Sequence, residues 1–332
     1  MEAKAVVFPA PNRVEVRTVN CPDPGPGDVV VRVTHSWISN GTEGSFLRGE
    51  RTAGDTAFRA GDPLPFPIVA GYQKIGVVEW VGAEFDDITP GEVVFAATGK
   101  VSGMFAPFAG QISPSVSPRN QVWKLPQGVE PLAFSGLVLT QVGYNCGTKA
   151  PIGIADGAIV IGDGMVGQWA AQTLAWRGAD TVLVGRHDYL LQLFAEGPLR
   201  HTVNARSVDW VTTARELLPK GARIVVDTVG SLTAVEQARS LMAQFGHIVS
   251  AGFMGTDDLI SMQPLRYGEL SLDFVSGWTR ERMDETRALI AAGYLQTVAL
   301  ITHRFPVDQA AMAWELIESK REPVLGVILD WA

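Results

Sequence analysis

Three glycines in one short stretch have the spacing of a nucleotide-binding loop. They are Gly162, Gly164 and Gly167, and the run "AIVIGDGMVGQWAAQTLAW" passes from an apolar strand through them into a helix. In a GxGxxG loop the first glycine makes a tight turn, the second lets the backbone approach a pyrophosphate, and the third lets helix and strand pack closely. The helix N-terminus then attracts the anion. The sequence therefore predicts a dinucleotide-binding loop that includes Met165 and Val166.

The strand that follows this loop indicates which dinucleotide is bound. It ends at Gly185 and Arg186, where an NAD-specific enzyme usually carries an acidic residue for the ribose 2′-hydroxyl. A guanidinium with no carboxylate beside it favours a 2′-phosphate, so NADP(H) is predicted, with His187 assisting. NAD(H) stays possible, because Arg186 could be a solvated strand-end residue or Asp188 could take the acidic role.

A second group of polar residues lies near the N-terminus, in "ISNGTEGSF". Asn40 could donate its amide to a substrate oxygen, and Glu43 could orient a donor or bind a substrate hydroxyl. The alternative is a capped polar turn at the start of a helix.

Tyr72 and Lys74, in "AGYQKIGVV", could manage a proton. Removing a proton from a bound hydroxyl needs a group that accepts it, and a phenol can both accept and donate a hydrogen bond. The free pKa of about 10 is too high for a base at neutral pH, so a cation such as Lys74 would have to lower it. On an ideal strand the two side chains share one face. The alternative for Tyr72 is an aromatic ring packed at the domain cleft, with its hydroxyl bonded to backbone.

Two kinds of element must position these residues. As far as about residue 125 the chain reads as short β runs broken by Pro and Gly, which favours a barrel-like β domain. From Pro131 onward apolar strands alternate with helices, including predicted helices over "EPLAFSGLVLTQVGYNCG" and "SLTAVEQARSLMAQFG". That alternation is typical of a parallel, doubly wound sheet buried on both faces. The predicted fold class is α/β.

Composition excludes several classes of function. A chain of 332 residues favours two domains, and a net charge of -8 gives no reason to expect nucleic acid. The N-terminus has no signal-peptide pattern and no apolar run is long enough to span a membrane. Cys21 and Cys146 are too few for a disulfide framework or a four-cysteine zinc site, so a cytoplasmic location is expected.

The order of domains resembles the medium-chain dehydrogenase/reductase superfamily over nearly the whole chain. The resemblance is carried by "PGPGDVVVRVTHSWISNGTEGSFLRGE", "FPIVAGYQKIGVVEWVG", "VIGDGMVG", "VVDTVG" and "LITHRFPVDQAAMAWELI". Within it, "ISNGTE" and "AGYQKIGVV" are most similar to the branch of bacteriochlorophyllide hydroxyethyl dehydrogenases. The resemblance implies a GroES-like catalytic domain over residues 1–136, completed by 279–332, and a Rossmann domain over 137–278. It also implies that Thr140 and Val166 lie near the nicotinamide.

The resemblance fails where zinc members of the superfamily hold their catalytic metal. The three ligand positions correspond to Asn40, Tyr72 and Gly136, none of which is a good zinc ligand. No metal site is therefore predicted, and Tyr72 is expected to face the substrate in the metal's place. Thr42 matches a position where family members carry a proton-relay hydroxyl.

The predicted function is zinc-independent hydride transfer between NADP(H) and a secondary alcohol or its ketone, of polyol, sugar or cyclic type. The alternative is an NADPH-dependent quinone or enoyl reductase, in which Asn40 steadies an enolate. A third possibility is an NADPH-binding protein without catalysis. The expected partners are a small-molecule substrate and a second copy of the chain, with the nucleotide sheets pairing at an edge near residues 247–253 and 270–278.

Overall fold

A computed structural model describes residues 1–105, 108–194, 197–256 and 260–331. The strands are β1 Glu2–Phe8, β2 Glu15–Asn20, β3 Asp28–Trp37, β4 Arg51–Ala53, β5 Thr56–Ala57, β6 Ile68–Val69, β7 Lys74–Val81, β8 Val93–Ala96, β9 Ile112–Ser113, β10 Ser115–Pro118, β11 Val122–Lys124, β12 Gly157–Ile161, β13 Asp180–Gly185, β14 Arg200–Asn204, β15 Ala222–Asp227, β16 Met242–Ser250, β17 Ser271–Phe274, β18 Ile301–Pro306 and β19 Gly326–Asp330. The α-helices are α1 Asn40–Leu47, α2 Leu137–Thr148, α3 Met165–Trp176, α4 Asp188–Gln192, α5 Trp210–Leu217, α6 Leu232–Arg239, α7 Arg280–Ala291 and α8 Ala310–Ser319. Short 3-10 helices cover Arg119–Gln121, Pro131–Phe134, Gln263–Arg266, Val298–Leu300 and Val307–Gln309.

Internal contacts divide the chain into two units. The first comprises Met1–Val138 and Thr297–Ala332, and the second Leu139–Gln296. The chain returns to the first unit later than residue 279, because helix α7 packs within the second unit. Tyr144 of α2 donates a hydrogen bond to Glu285 of α7 at 2.8 Å.

The first unit is built from mainly antiparallel sheets that the C-terminal segment completes, and the one parallel pair among the described strands of these sheets is β18 with β19. One sheet has the order β2-β1-β6, with β9 also on β1, and a larger one has the order β11-β8-β7-β3-β19-β18, with β10 also on β3. The late strand β19 pairs with β3, so that Ile328 lies opposite Trp37. Trp314 of α8 meets the Phe8 ring edge-on, with ring centroids 5.4 Å apart, in a core that both ends of the unit share.

The first unit brings the predicted polar residues to the end of β3 and the start of β7. Helix α1 begins at Asn40, three residues after β3 ends. Strand β7 begins at Lys74, which lies opposite Ser36 of β3. Tyr72 therefore precedes the strand, and the strand alternation expected to put Tyr72 and Lys74 on one face does not apply to it.

The second unit is a parallel sheet with the strand order β14-β13-β12-β15-β16-β17. Side chains alternate strictly along its central strand. Ile159 and Ile161 of β12 pack with Trp210 on one face, while Ala158 and Val160 pack with the helices of the other face. This is the buried, doubly wound arrangement that the apolar strand runs predicted, and it confirms the α/β fold class.

Several boundaries in the second unit differ from the predictions. The helix expected over residues 231–246 ends at Arg239, and its last residues instead form the start of β16. The helix expected over residues 130–147 starts as the 3-10 turn Pro131–Phe134 before α2. Strand β14 and helix α5 were not predicted, because the polar run "RHTVN" of an edge strand lacks the apolar signal of a buried strand. Within the described ranges no helix is long and apolar enough to cross a membrane.

Candidate functional site

Helix α1 starts with an unusual cap. Ser39 is its N-cap residue, yet the Ser39 side chain makes no cap hydrogen bond to the helix. The backbone N–H of Ser39 instead donates to Oε1 of Glu43 at 2.7 Å, so Glu43 reaches back across the first turn. This leaves the Ser39 hydroxyl free to serve another partner, and that partner is Tyr72.

Tyr72 is buried and hydrogen-bonded through its hydroxyl. Its Oη donates to Oγ of Ser39 at 2.6 Å, its ring meets Phe108 edge-on at 5.7 Å, and it also forms a hydrogen bond with Thr42. Burial raises the pKa of Tyr72 to about 12, more than these hydrogen bonds lower it. At neutral pH the phenol is therefore a proton donor rather than a base.

Glu43 carries a carboxyl group away from water, with only 2% of the residue exposed. Burial raises its pKa to about 8, although the N–H of Ser39 and the amide of Gln111 both favour the ionised form. The Gln111 Nε2 atom lies 3.4 Å from Oε2 of Glu43. The carboxyl is consequently protonated at pH 7 and ionises in mildly alkaline solution.

A small cavity of about 20 Å³ adjoins this pair. Thr42, Glu43 and Tyr72 line it together with apolar side chains that include Phe46 and Phe108. Its volume is about that of a single water molecule, and its surface is almost entirely apolar. The cavity thus connects the carboxyl and the phenol within the first unit.

Lys74 is fully buried but does not act on Tyr72 as expected. Its Nζ points toward the carbonyl oxygen of Ala109 at 3.4 Å. Burial lowers the pKa of Lys74 to about 7, and Lys74 is not among the groups that shift the pKa of Tyr72. The expectation that Lys74 lowers the tyrosine pKa is therefore wrong, because burial moves the pKa of both groups toward the neutral form.

The side chains at the three zinc-ligand positions do not fit a metal. Nδ2 of Asn40 donates to the carbonyl oxygen of Leu325 at 2.8 Å, which leaves Oδ1 buried and without a partner among the described residues. The amide of Asn40 was predicted to donate to a substrate oxygen. Its Nδ2 is already bonded to Leu325, however, and the atom that remains is Oδ1, which can only accept. A Cβ on Gly136 would lie 3.0 Å from the indole of Trp37, so a ligating side chain has no room there. In the ranges the structure describes, no three His, Cys, Asp or Glu residues gather as a metal site would require.

The glycine loop of the second unit has the geometry that its sequence predicted. Gly162 has φ +114°, and a Cβ there would lie 2.4 Å from Oγ1 of Thr228. A Cβ on Gly167 would lie 1.9 Å from the carbonyl oxygen of Gly162, so strand and helix meet there at backbone distance. A Cβ on Gly164 would meet no described atom within 4 Å beyond its neighbours and its own helix. The N-terminus of α3 is thus open to a pyrophosphate, and the loop fits a dinucleotide.

The structure adds Asp163 to the predicted nucleotide residues. Its Oδ2 accepts hydrogen bonds from the backbone N–H groups of Arg186 and His187, both at 2.8 Å, and contacts Nδ1 of His187 at 3.0 Å. A Cβ on Gly185 would lie 2.5 Å from the Cβ of Asp163. Asp163 therefore fixes the end of β13 and holds His187, while Arg186 is exposed. In the sequence, the acidic residue between Gly162 and Gly164 was the feature that could have indicated this structural role.

The remaining predicted cofactor residues are less accessible. Thr140 is fully buried in α2, Met165 is buried at the start of α3, and Val166 is half-buried beside it. Asp188, the alternative acidic residue, accepts a hydrogen bond from Nδ2 of Asn204 at 2.7 Å.

An open glycine loop on the doubly wound sheet of one unit, and buried proton donors in the other unit, are features of an oxidoreductase of the dehydrogenase class. Known proteins support this class. The family profile described as zinc-binding dehydrogenase matches residues 166–292. The 2-desacetyl-2-hydroxyethyl bacteriochlorophyllide A dehydrogenase of Cereibacter sphaeroides is 28% identical, over 100% of this chain and 99% of its own length.

Solved structures agree on the fold. An oxidoreductase/dehydrogenase of unknown specificity from Escherichia coli superposes with a TM-score of 0.87 at 18% identity, over 100% of both chains. A dehydrogenase from Sinorhizobium meliloti, described as zinc-binding and solved with NADP bound, has a TM-score of 0.83 at 20% identity, again over 100% of both chains. These matches support the predicted resemblance to the medium-chain dehydrogenase/reductase superfamily.

Replacing Lys74 by Met should raise stability most at low pH. Because the folded-state pKa is depressed from 10.5 to about 7, the stability that this amine contributes is present above pH 10.5 and is lost as the pH falls through about 7. Met has a similar length and cannot be protonated. The free energy of unfolding of Lys74→Met should therefore exceed that of the wild type by on the order of 3 kcal/mol at pH 6. Thermal melts from pH 6 to pH 10 would measure it.

The exposed Lys220 offers a matched control, since Lys220→Met removes the same charge from the surface. Its melting curve should follow that of the wild type at every pH. If the melting temperatures of Lys74→Met and the wild type changed with pH in parallel, the assignment of a buried amine with a depressed pKa would be contradicted.

Proposed function

We propose that this chain is a zinc-independent dehydrogenase that transfers hydride between NADP(H) and a secondary alcohol or its ketone. The observation that carries the proposal is the chemistry at the three zinc-ligand positions. They hold an amide bonded to Leu325, a phenol bonded to Ser39 and a glycine packed on an indole. Hydrogen-bonding groups therefore take over the handling of the substrate oxygen that a Lewis acid performs in zinc members.

The end of β13 supports NADP(H) over NAD(H). Asp163, the carboxylate nearest this strand end, is already committed to the N–H groups of Arg186 and His187. Arg186 stays exposed, and a guanidinium is well suited to a 2′-phosphate. The NADP in the Sinorhizobium structure is consistent with this preference. When bound, the cofactor supplies or accepts the hydride, and Gly162, Gly164 and Gly167 would hold its pyrophosphate.

The first unit supplies protons rather than a base at neutral pH. Tyr72, with a pKa of about 12, and Glu43, with a pKa of about 8, are both protonated at pH 7. A protonated phenol can donate to a ketone oxygen as it becomes an alkoxide, and the free Oδ1 of Asn40 can accept a hydrogen bond from a substrate hydroxyl. Ketone reduction is thus the direction favoured at neutral pH, and alcohol oxidation gains as the pH rises.

A hydroxylated substrate fits the polar groups better than a quinone or an enone. Steadying an enolate calls for a free donor at Asn40, but its Nδ2 is bonded to Leu325 and its free atom is an acceptor. The Cereibacter relative is named for a hydroxyethyl group, which is an alcohol. Both observations favour the alcohol and ketone pair over the reductase alternative.

We propose that two copies of the chain pair along β17. This strand is at the end of the sheet order, and its last residue, Phe274, is 68% exposed. Tyr267, seven residues earlier, is 97% exposed. A strand edge that no described strand covers, flanked by exposed aromatic rings, suits a second copy related by a two-fold axis.

Light scattering should give the mass of two chains for the wild type, and Phe274→Asp should halve that mass. A single-chain mass for the wild type would contradict the pairing.

A reducing, cytoplasmic location is part of the same proposal. Cys21 and Cys146 are both buried and unpaired. Burial raises the pKa of the Cys146 thiol to about 12, so it is an unreactive core residue. Neither cysteine is committed to a disulfide that an oxidising compartment would have to maintain.

The decisive experiment titrates NADPH and NADH into chelator-treated protein while turnover of secondary alcohols and ketones is followed at measured zinc content. NADPH should bind more tightly, and turnover should persist without zinc. Arg186→Ser should weaken NADPH binding by about tenfold to a hundredfold and leave NADH binding unchanged. Arg215→Ser removes an equal charge from helix α5 and should change neither. Activity that appears only when zinc is restored would refute the proposal.

Replacing Tyr72 by Phe should abolish most turnover without affecting cofactor binding. The ring and its contact with Phe108 remain, while the proton donor to the substrate oxygen is lost. Loss of a positioned acid typically costs about a hundredfold or more in kcat. The control is Tyr144→Phe, which removes a hydroxyl bonded to Glu285 in the second unit. A kcat equal to that of the wild type in Tyr72→Phe would exclude Tyr72 as the donor.

A further inference from the structure

A chain of buried hydrogen bonds leads from the last strand of the first unit to Glu43. Trp331, which follows β19, donates from Nε1 to Oγ of Ser36 at 2.7 Å. Ser36 in turn forms a short hydrogen bond with Oε1 of Gln111. Nε2 of Gln111 faces the Glu43 carboxyl, at 3.4 Å from Oε2. All four residues are at most 6% exposed.

The hydrogen bonds of this chain run in one direction. An indole N–H can only donate, so Ser36 accepts from Trp331, and its own O–H donates to Oε1 of Gln111. The Gln111 oxygen is thereby occupied as an acceptor, and the amide group that remains is the NH₂. A group that can only donate is consequently turned toward Glu43.

Gln111 has little freedom to turn away. Its backbone is bonded on both sides, by donation to the carbonyl oxygen of Ala70 at 2.7 Å and by acceptance from the N–H of Val6 at 3.0 Å. A Cβ on Gly71 would lie 2.7 Å from Cγ of Gln111, so the amide packs directly on that glycine. The side chain is held in one place and in one orientation.

The charged groups around Glu43 are engaged elsewhere. Arg51 donates to Asp55 at 2.7 Å and to Ser45, and Arg48 pairs with Glu318 at 2.7 Å. Tyr72 lines the small cavity together with Glu43 and donates its neutral hydroxyl to Ser39, and Lys74 points to Ala109. The groups that stabilise an ionised Glu43 are therefore the N–H of Ser39 and the amide of Gln111.

We infer that Gln111 is a positioning residue for proton transfer, because Trp331 and Ser36 hold its NH₂ where it stabilises the carboxylate that forms when Glu43 gives its proton to Tyr72. This inference rests on the proposed function. In ketone reduction the hydride goes to the carbonyl carbon and the Tyr72 proton to the oxygen. The O–H bond of Glu43 then breaks, its proton crosses the small cavity to the phenolate, and the carboxylate later regains a proton from solvent. Charge and protons balance over this sequence.

The test separates the proton affinity of Glu43 from activity. The infrared carbonyl band of the protonated carboxyl would be titrated from pH 6 to pH 10 and assigned with Glu43→Gln. Gln111→Leu removes the amide donor and should move the titration of Glu43 upward by about one pH unit. Trp331→Phe removes the N–H that orients the chain and should move it in the same direction by less.

Trp314→Phe is the matched control, because Nε1 of Trp314 is buried in the same unit and has no partner among the described residues. It loses indole volume without losing a hydrogen bond, so its titration should equal that of the wild type. A cooperative thermal melt like that of the wild type would verify that the first unit of each variant folds, and retained NADPH binding would verify the second.

Kinetics completes the test. For ketone reduction, the pH at which kcat falls on the alkaline side should rise in Gln111→Leu and Trp331→Phe. It should rise by as much as the pH midpoint of the infrared titration. An unmoved infrared titration in both variants would overturn the inference, and so would a shifted titration with an unmoved kinetic limb. Failure of the proposed function is recognised separately, as an absence of NADPH-dependent ketone reduction by the wild type.

Discussion

Exclusion of water from ionisable side chains is the constraint on which the polar cluster of the first unit depends. Glu43, Tyr72 and Lys74 lie where an ion is poorly solvated, and burial moves the pKa of each toward its neutral form. A metal centre works by bringing fixed charge to the substrate. Here the same region holds two acids that are neutral at pH 7 and an amine that is only partly protonated, so its groups can exchange protons near neutral pH.

Most polar atoms of such a cluster must find a partner, and Oδ1 of Asn40 is an exception among the described residues. The helix cap is rearranged for this purpose: Glu43 satisfies the N–H of Ser39, and the Ser39 hydroxyl accepts from Tyr72. The last strand contributes as well, since Trp331 bonds Ser36 from a position far away in sequence. The C-terminal segment therefore does more than complete a sheet, because it sets the polarity of a hydrogen-bond chain that starts at its own indole.

The fold was largely predictable from the sequence, whereas the partners within the site were not. Apolar strand runs and the glycine spacing indicate a doubly wound sheet with a nucleotide loop, since both patterns follow from local burial and backbone space. The partner of Tyr72 depends on the side-chain direction of a residue outside any strand. Gln111 lies 68 positions from Glu43, and no local pattern links them. Asp163 was visible in the loop, but its partners at 186 and 187 required the strand register.

The position of Asp163 also constrains how cofactor preference could evolve. The usual carboxylate for an NAD ribose stands at the end of the second strand. Here that position is Gly185, and any side chain on it would collide with Asp163, which already occupies the space. A single substitution to an acidic residue at 185 is sterically blocked until residue 163 becomes smaller, yet that second change removes the bonds that hold the strand end. The two sites are epistatic: each mutation is harmful alone, and an acidic side chain at 185 becomes possible only when both residues change.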